Sequence, residues 1–237
     1  MAQARGFFER ALTADPDNVD ALIGSARVNG TQGIFLFVND PMAAFAAAEA
    51  KLTKALSSVP DHPRAHMHLG HVKILTKRAA EGIAECEHAL ALDRNLADAH
   101  AYIGYGKIHI GRAEDTEAHI SEALRLSPRD ALAYTWMGIA GIAKNNLCLY
   151  EQAVAWFRRA VEANRNYPDA YFHLAPALAQ LGRVDEAHSA VKAGLALNPT
   201  YTISHARAAR TARSDDPTYL AQLEPIFEGM RKAGLPE

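Results

Sequence analysis

A short pattern returns about every 34 residues along the chain, and this period limits the fold more than any other feature. A Leu-Gly or Ile-Gly pair (Leu69-Gly70, Ile103-Gly104) leads to a small residue and then to an Ala-Leu ahead of Pro or Arg. Segments close at Pro60, Arg94, Pro128, Arg165 and Pro199. A fixed period of this length defines an array of like units, each too small to bury its own apolar face and so stacked on its neighbours. The functional question moves with it, from catalytic residues to the surface that stacking creates.

The register is close. Residues 63–96 give His66, Leu69, Gly70, Gly82, Cys86, Ala89 and Arg94. Residues 97–130 give His100, Ile103, Gly104, Thr116, Ile120, Ala123 and Pro128. Residues 131–167, longer by three, give Tyr134, Met137, Gly138, Ala153, Phe157, Ala160 and Arg165. Residues 168–201 give Tyr171, Leu174, Ala175, Ala187, Val191, Gly194 and Pro199. Each unit reads as two amphipathic helices. The small residue at 70, 104, 138 and 175 lets the second helix lie against the first. Ala89, Ala123 and Ala160 do the same for the next unit, and Leu69, Ile103, Met137 and Leu174, with Leu90, Leu124, Val161 and Leu195, fill the gaps. Pro128 and Pro199 stop second helices, and Gly111 and Gly182 fall where paired helices turn.

This order resembles the tetratricopeptide repeat, Trp-x2-Leu-Gly-x2-Tyr, Ala-x3-Phe, Pro, over nearly the whole chain. The resemblance implies an all-α fold: a right-handed α-solenoid superhelix of antiparallel helix pairs in one domain, 1–237. It divides into a half repeat 1–18, a long repeat 19–62, the four repeats above, and a C-terminal cap 202–237.

Both ends depart from the pattern. Ala4, Phe8, Ala11 and Pro16 match only the second half of a repeat, which suggests a piece of a longer polypeptide. Residues 19–62 are about ten too long, and the excess, Asn29 to Pro41, holds Ile34-Phe35-Leu36-Phe37-Val38. Ten residues are roughly three helical turns, so the first helix is expected to run to about Val38. A loop through Gly30 and Gly33 is the rival. Asp40-Pro41 reads as the next N-cap and first position. Beyond Thr202 a first helix decays into Arg213-Ser214-Asp215-Asp216, and a last helix restarts at Pro217. Its stripe Leu220, Leu223, Phe227 and Met230 suits a cap over the last repeat, kinked at Pro225. Asn198 to Ser204, Pro217 to Leu220 and Glu228 to Gly234 resemble the tail of repeat regions in alphaproteobacterial signalling proteins. There, a class III nucleotide cyclase or winged-helix domain precedes the array. That implies a sensory or interaction role within a larger, bacterial signal-transduction protein. No cyclase signature lies in these residues.

First helices line the concave side of such arrays, so the resemblance points to Arg64, Met67, His68, His71, Tyr102, Tyr105, His109, Trp136, Ile139, Phe172 and His173, with Pro176, as a groove for a peptide or helix. Tyr102, Trp136 and Phe172 could equally pack between adjacent first helices. Positions matching the family's carboxylate clamp hold Met67 with His71, Tyr102, and Leu132 with Trp136, so no cationic pair is present. His62, His66, His68 and His71 crowd ten residues, but lack the carboxylate of a His-Glu-x-x-His site, and no metal or cofactor is expected. His68, His71, His109 and His173 suggest a pH-sensitive groove.

A net charge of −2 lacks the basic excess that phosphate neutralisation requires, so no nucleic acid is expected. No apolar run approaches the roughly 18 residues of a membrane span. Two cysteines fit a reducing, cytoplasmic setting: Cys86 at a core position, Cys148 in the lengthened turn. Gly104-Tyr105-Gly106 lacks the strand and third glycine of a dinucleotide loop, and no enzyme motif occurs. The sequence reads as a non-catalytic binding scaffold for a protein or peptide partner, with a homo-oligomer possible.

Overall fold

The computed structural model describes the chain apart from residues 1, 35–37 and 39 and the side chain of residue 2. Among the described residues there are helices and turns and no strand. In chain order the helices are α1 (Ala2–Ala14), α2 (Val19–Ile34), α3 (Pro41–Ser58), α4 (Pro63–Leu75), α5 (Ala79–Leu92) and α6 (Ala97–His109). A 3-10 turn (Ala113–Asp115) leads into α7 (Thr116–Leu126), followed by α8 (Ala133–Asn146), α9 (Tyr150–Ala163), α10 (Pro168–Gln180), α11 (Val184–Leu197), α12 (Ile203–Thr211) and α13 (Pro217–Lys232). They form two compact units, Met1–Ile103 and Gly104–Glu237.

In the first unit α1 packs on α2, α2 pairs with α3, and α4 pairs with α5. Rings sit on glycines. A Cβ at Gly24 would fall 2.2 Å from the Phe8 ring, and one at Gly33 would fall 2.7 Å from Phe45. The tightest backbone approach joins α4 to α5. A Cβ at Gly70 would meet the Gly82 carbonyl at 2.6 Å and Cys86 Sγ at 2.5 Å, and one at Gly82 would meet the Gly70 carbonyl at 2.4 Å. Cys86 is fully buried there, and burial pushes its thiol pKa up, which leaves it unreactive. Asp40 caps α3 through Ala43 N at 3.0 Å, with Pro41 in the first turn. The helix before it is described to Ile34 and runs through Gly30 and Gly33. Its expected continuation toward Val38 falls on residues 35–37, outside those described.

In the second unit α8 pairs with α9 and α10 with α11, and α9 packs on α10. Phe157 lies over Gly141 and Phe172 over Gly194, each ring 2.6 Å from where a Cβ would stand. Ala123 and Ala160 are fully buried, as Ala89 is in the first unit. Leu90, Leu124, Val161 and Leu195, read from sequence as gap fillers, are only half-buried. Turns between paired helices share one left-handed residue, Gly111 (φ 72°) and Gly182 (φ 74°), with Lys77 (φ 63°) and Cys148 (φ 57°) in the same place.

The last helix departs from the repeat plan. It lies mainly on α10, with lesser contact to both α8 and α12. Its Leu223, Phe227 and Met230 are buried, Leu220 half-buried, and it continues helical through Pro225. Arg207 of α12 reaches α13, donating to both carboxylate oxygens of Glu224 and lying 4.1 Å over the Phe227 ring. On α10, Gly229 passes so near Pro176 that a Cβ would lie 2.8 Å from its carbonyl oxygen.

One repeat position has two physical roles, and substitution separates them. Gly70→Ala drives a methyl into backbone and should cost about 3 kcal/mol. A Cβ at Gly138 meets the Tyr167 ring at an ordinary 3.4 Å. Gly138→Ala should be neutral or stabilise by up to about 1 kcal/mol through helix propensity. Urea unfolding of both variants checks the contrast; equal losses would contradict it.

Candidate functional site

In the second unit, first-helix residues face the chain's own C-terminal segment. The Tyr201 ring stacks on Phe172 at 3.9 Å between centroids, and the Tyr219 ring lies 5.1 Å from that of His109. Ser214 Oγ donates to the His109 carbonyl at 2.5 Å, Arg213 Nη1 donates to the Tyr105 hydroxyl, and Arg210 Nη2 lies 3.3 Å from His173 Nδ1. Further along, Asn146 Nδ2 donates to Gln222 Oε1 at 3.3 Å, and Gln180 Nε2 donates to the Pro225 carbonyl at 2.6 Å. Residues 201–235 thus cover the face that sequence reading assigns to a partner.

The eleven groove residues consequently have unequal standing. Trp136 is 1% exposed, Phe172 0% and His109 2%, and Pro176 is buried beneath α13. Tyr105, Ile139 and His173 are half-buried. In the first unit Met67 and His68 are buried, Arg64 is exposed, and His71 and Tyr102 are half-buried with rings stacked at 3.8 Å. On neighbouring α2, Arg27 is exposed as well. Of the eleven, Arg64 is exposed, while His71, Tyr102, Tyr105, Ile139 and His173 are all half-buried.

The histidine cluster resolves into local duties. His62 caps α4 by accepting from Ala65 N at 3.3 Å. His66 bonds Glu85 Oε2 at 2.7 Å and the Pro60 carbonyl at 2.8 Å, while Glu85 also holds Lys73 at 2.9 Å. Among the described residues, no group of three or more His, Cys, Asp or Glu could hold a metal ion, and no helix is long and apolar enough to cross a membrane.

The idea of a histidine-gated groove needs correction. Burial, with Arg27 and Arg64 nearby, holds the His68 pKa down to about 4. Burial and the Arg213 charge hold that of His109 down to about 3, and burial beside Arg210 and Arg213 holds His173 well below its ordinary value. These three stay neutral across the physiological range, so they answer to stability rather than to ligand.

Pattern reading also passed over Arg210 near the end of α12 and Arg213 just beyond it, which reach His173 and Tyr105.

A stack of antiparallel helix pairs with glycine-mediated contacts defines a helical-repeat protein. Residues 44–97 match the model of the tetratricopeptide repeat, and residues 150–182 that of the TPR repeat. These segments carry tetratricopeptide repeats. No curated protein matches the chain. Among solved structures it is similar to TTC0263, a thermophilic TPR protein of Thermus thermophilus (TM-score 0.62, 17% identity, covering 79% of this chain and 98% of that one). It is also similar to a human IFIT1 dimer with m7Gppp-AAAA (TM-score 0.71, 18% identity, covering 96% and 55%). A third likeness is to YrrB, a TPR protein with an unusual peptide-binding site (TM-score 0.50, 23% identity, covering 77% and 90%). At these identities the likeness concerns the fold.

Acid should weaken the chain through its depressed histidines. The unfolded state takes up protons near pH 6.5 and the folded state does not, so stability is full above that pH. It is lost as pH falls, toward about 4 for His68 and about 3 for His109. The slope is about 1.4 kcal/mol per pH unit per histidine, hence about 2 kcal/mol from His68 alone between pH 6.5 and 5. Asp169, its pKa raised by burial against the opposing Arg213 and Arg210 charges, offsets part of this at lower pH. Urea midpoints at the two pH values test it; equal midpoints would contradict it.

Proposed function

We propose that the protein is a non-catalytic scaffold that binds a segment of a protein partner, and that the first unit carries the docking face. The supporting observation is the division of the first-helix face. In the second unit the chain's own C-terminal segment packs on Tyr105, His109, Phe172 and His173, whereas in the first unit Arg64 is exposed. A flat aromatic pair beside a cation suits a peptide, because rings supply contact area at small entropic cost and the guanidinium orients acceptors. The tetratricopeptide fold supports this reading, as does the likeness to a protein with a peptide-binding site. The partner recognised this way is protein rather than nucleic acid, in keeping with the net charge.

Peptides selected from a displayed random library against the intact chain test the reading. Tyr102→Ala and Arg64→Ala should each weaken binding about tenfold, roughly 1.4 kcal/mol, with helix content by circular dichroism unchanged. Trp136→Phe, in the covered second unit, should leave affinity alone. Failure to select any binder, or binding indifferent to Tyr102 and Arg64 together, would contradict the assignment.

A further inference from the structure

The two cysteines differ in what reaches them: Cys86 is enclosed, whereas Cys148 is exposed. Cys148 sits in the turn between α8 and α9, in the left-handed conformation. Its amide donates to the Asn145 carbonyl at 3.0 Å, and that of Leu149 donates to the Lys144 carbonyl at 2.9 Å. These bonds close the end of α8, so the thiol is held at a fixed place rather than on a loose loop.

That place is the edge of a trough. A cavity of about 550 Å³ lies between the end of α8 and the first turns of α13. Asn146, Cys148 and Gln222 line it, with Pro217, Ala221 and Pro225 as its apolar wall. Asn146 is 3% exposed. Its Nδ2 donates to Gln222 Oε1 at 3.3 Å, yet its Oδ1 is buried without a hydrogen-bond partner. A buried acceptor left unmade is costly, and native structures seldom keep one without a reason. Gln222 is half-buried, and its Nε2 donates to no described residue. The joined amides thus present one acceptor and one donor to the trough. Exchanging the ends of both amides swaps which residue supplies which and leaves the same pair. An extended peptide residue is the complement, because its N–H and C=O point to the same side.

We propose that this trough is a covalent modification site, at which Cys148 forms a mixed disulfide with a small peptidic thiol whose cysteine N–H and carbonyl pair with Asn146 and Gln222. The volume is that of a small-molecule site, which limits the thiol to a few residues. The reagent is the disulfide of that thiol. Cys148 gives up its proton, and its sulfur attacks one sulfur of the reagent. The new S–S bond forms as the old one breaks, and the departing thiolate takes up a proton, so the reagent supplies the whole oxidising equivalent. The site lies in the second unit, on residues other than those of the segment-binding reading, and stands or falls separately from it.

The test uses the intact, reduced chain and two neutral disulfides. One is that of N-acetylcysteine amide; the other, bis(2-hydroxyethyl) disulfide, has no amide. Adduct formation is followed by intact-mass spectrometry at neutral pH, beside a short unstructured cysteine peptide as reference. Relative to that peptide, the chain should prefer the amide disulfide over the hydroxyethyl one about tenfold, the gain of one well-placed pair of hydrogen bonds. Gln222→Ala, with helix content unchanged by circular dichroism, should bring the preference down to the peptide's. Cys148→Ser should form no adduct. A native chain with no more preference than the peptide, a preference that survives Gln222→Ala, or an adduct formed equally by Cys148→Ser would overturn the proposal.

Discussion

Close approach of two helix backbones is the constraint on which the architecture rests. At Gly70 and Gly82 each helix occupies the volume a side chain would need on the other, so α4 and α5 are fixed by what is absent. The same position is looser in later pairs. Gly104 sits 3.2 Å from the Thr116 carbonyl at its would-be Cβ, and Gly138 meets only the Tyr167 ring. The last helix lays its apolar stripe on α10, where Gly229 passes close to Pro176, and covers that face.

That cover decides where the molecule can act. Tyr219, Leu223, Ile226, Phe227 and Met230 are buried, and fully burying one such side chain contributes roughly 1.5–3 kcal/mol. A segment seated by five of them is part of the second unit's core. Trp136, Phe172 and His109 have packing duties there, and truncating them would report on stability before binding. The first unit, with Arg64 exposed, carries the proposed docking face.

The helix pairs were legible because their period is long and their small residues recur; Pro128 and Pro199 each stand two residues beyond a helix end. The Asp40-Pro41 cap was legible from local chemistry alone. Three things were not. The left-handed turns at Lys77 and Cys148 carry no glycine to announce them. Which first-helix residues are open depends on tertiary contacts between residues more than a hundred apart, as Arg213 with Tyr105. The contacts of Arg210 with His173 and Arg213 with Tyr105 arise only once α12 is placed, since pattern reading ranked Arg213 with a decaying helix end. Histidine misled most. Its ordinary pKa near neutrality invites a switch, whereas enclosure moves His68 to about 4 and His109 to about 3.

The central claim is that the C-terminal segment lies on the first-helix face of the second unit. Its most direct measurement is the nuclear Overhauser effect between the rings of Tyr219 and His109, whose centroids are 5.1 Å apart, in the intact chain at neutral pH. A resolved cross-peak, present at dilutions that exclude intermolecular contact, is the predicted result. A folded chain in which the Tyr219 ring contacts only α12, with no effect to His109, would show that α13 stacks as an ordinary repeat and that the second unit's face is open.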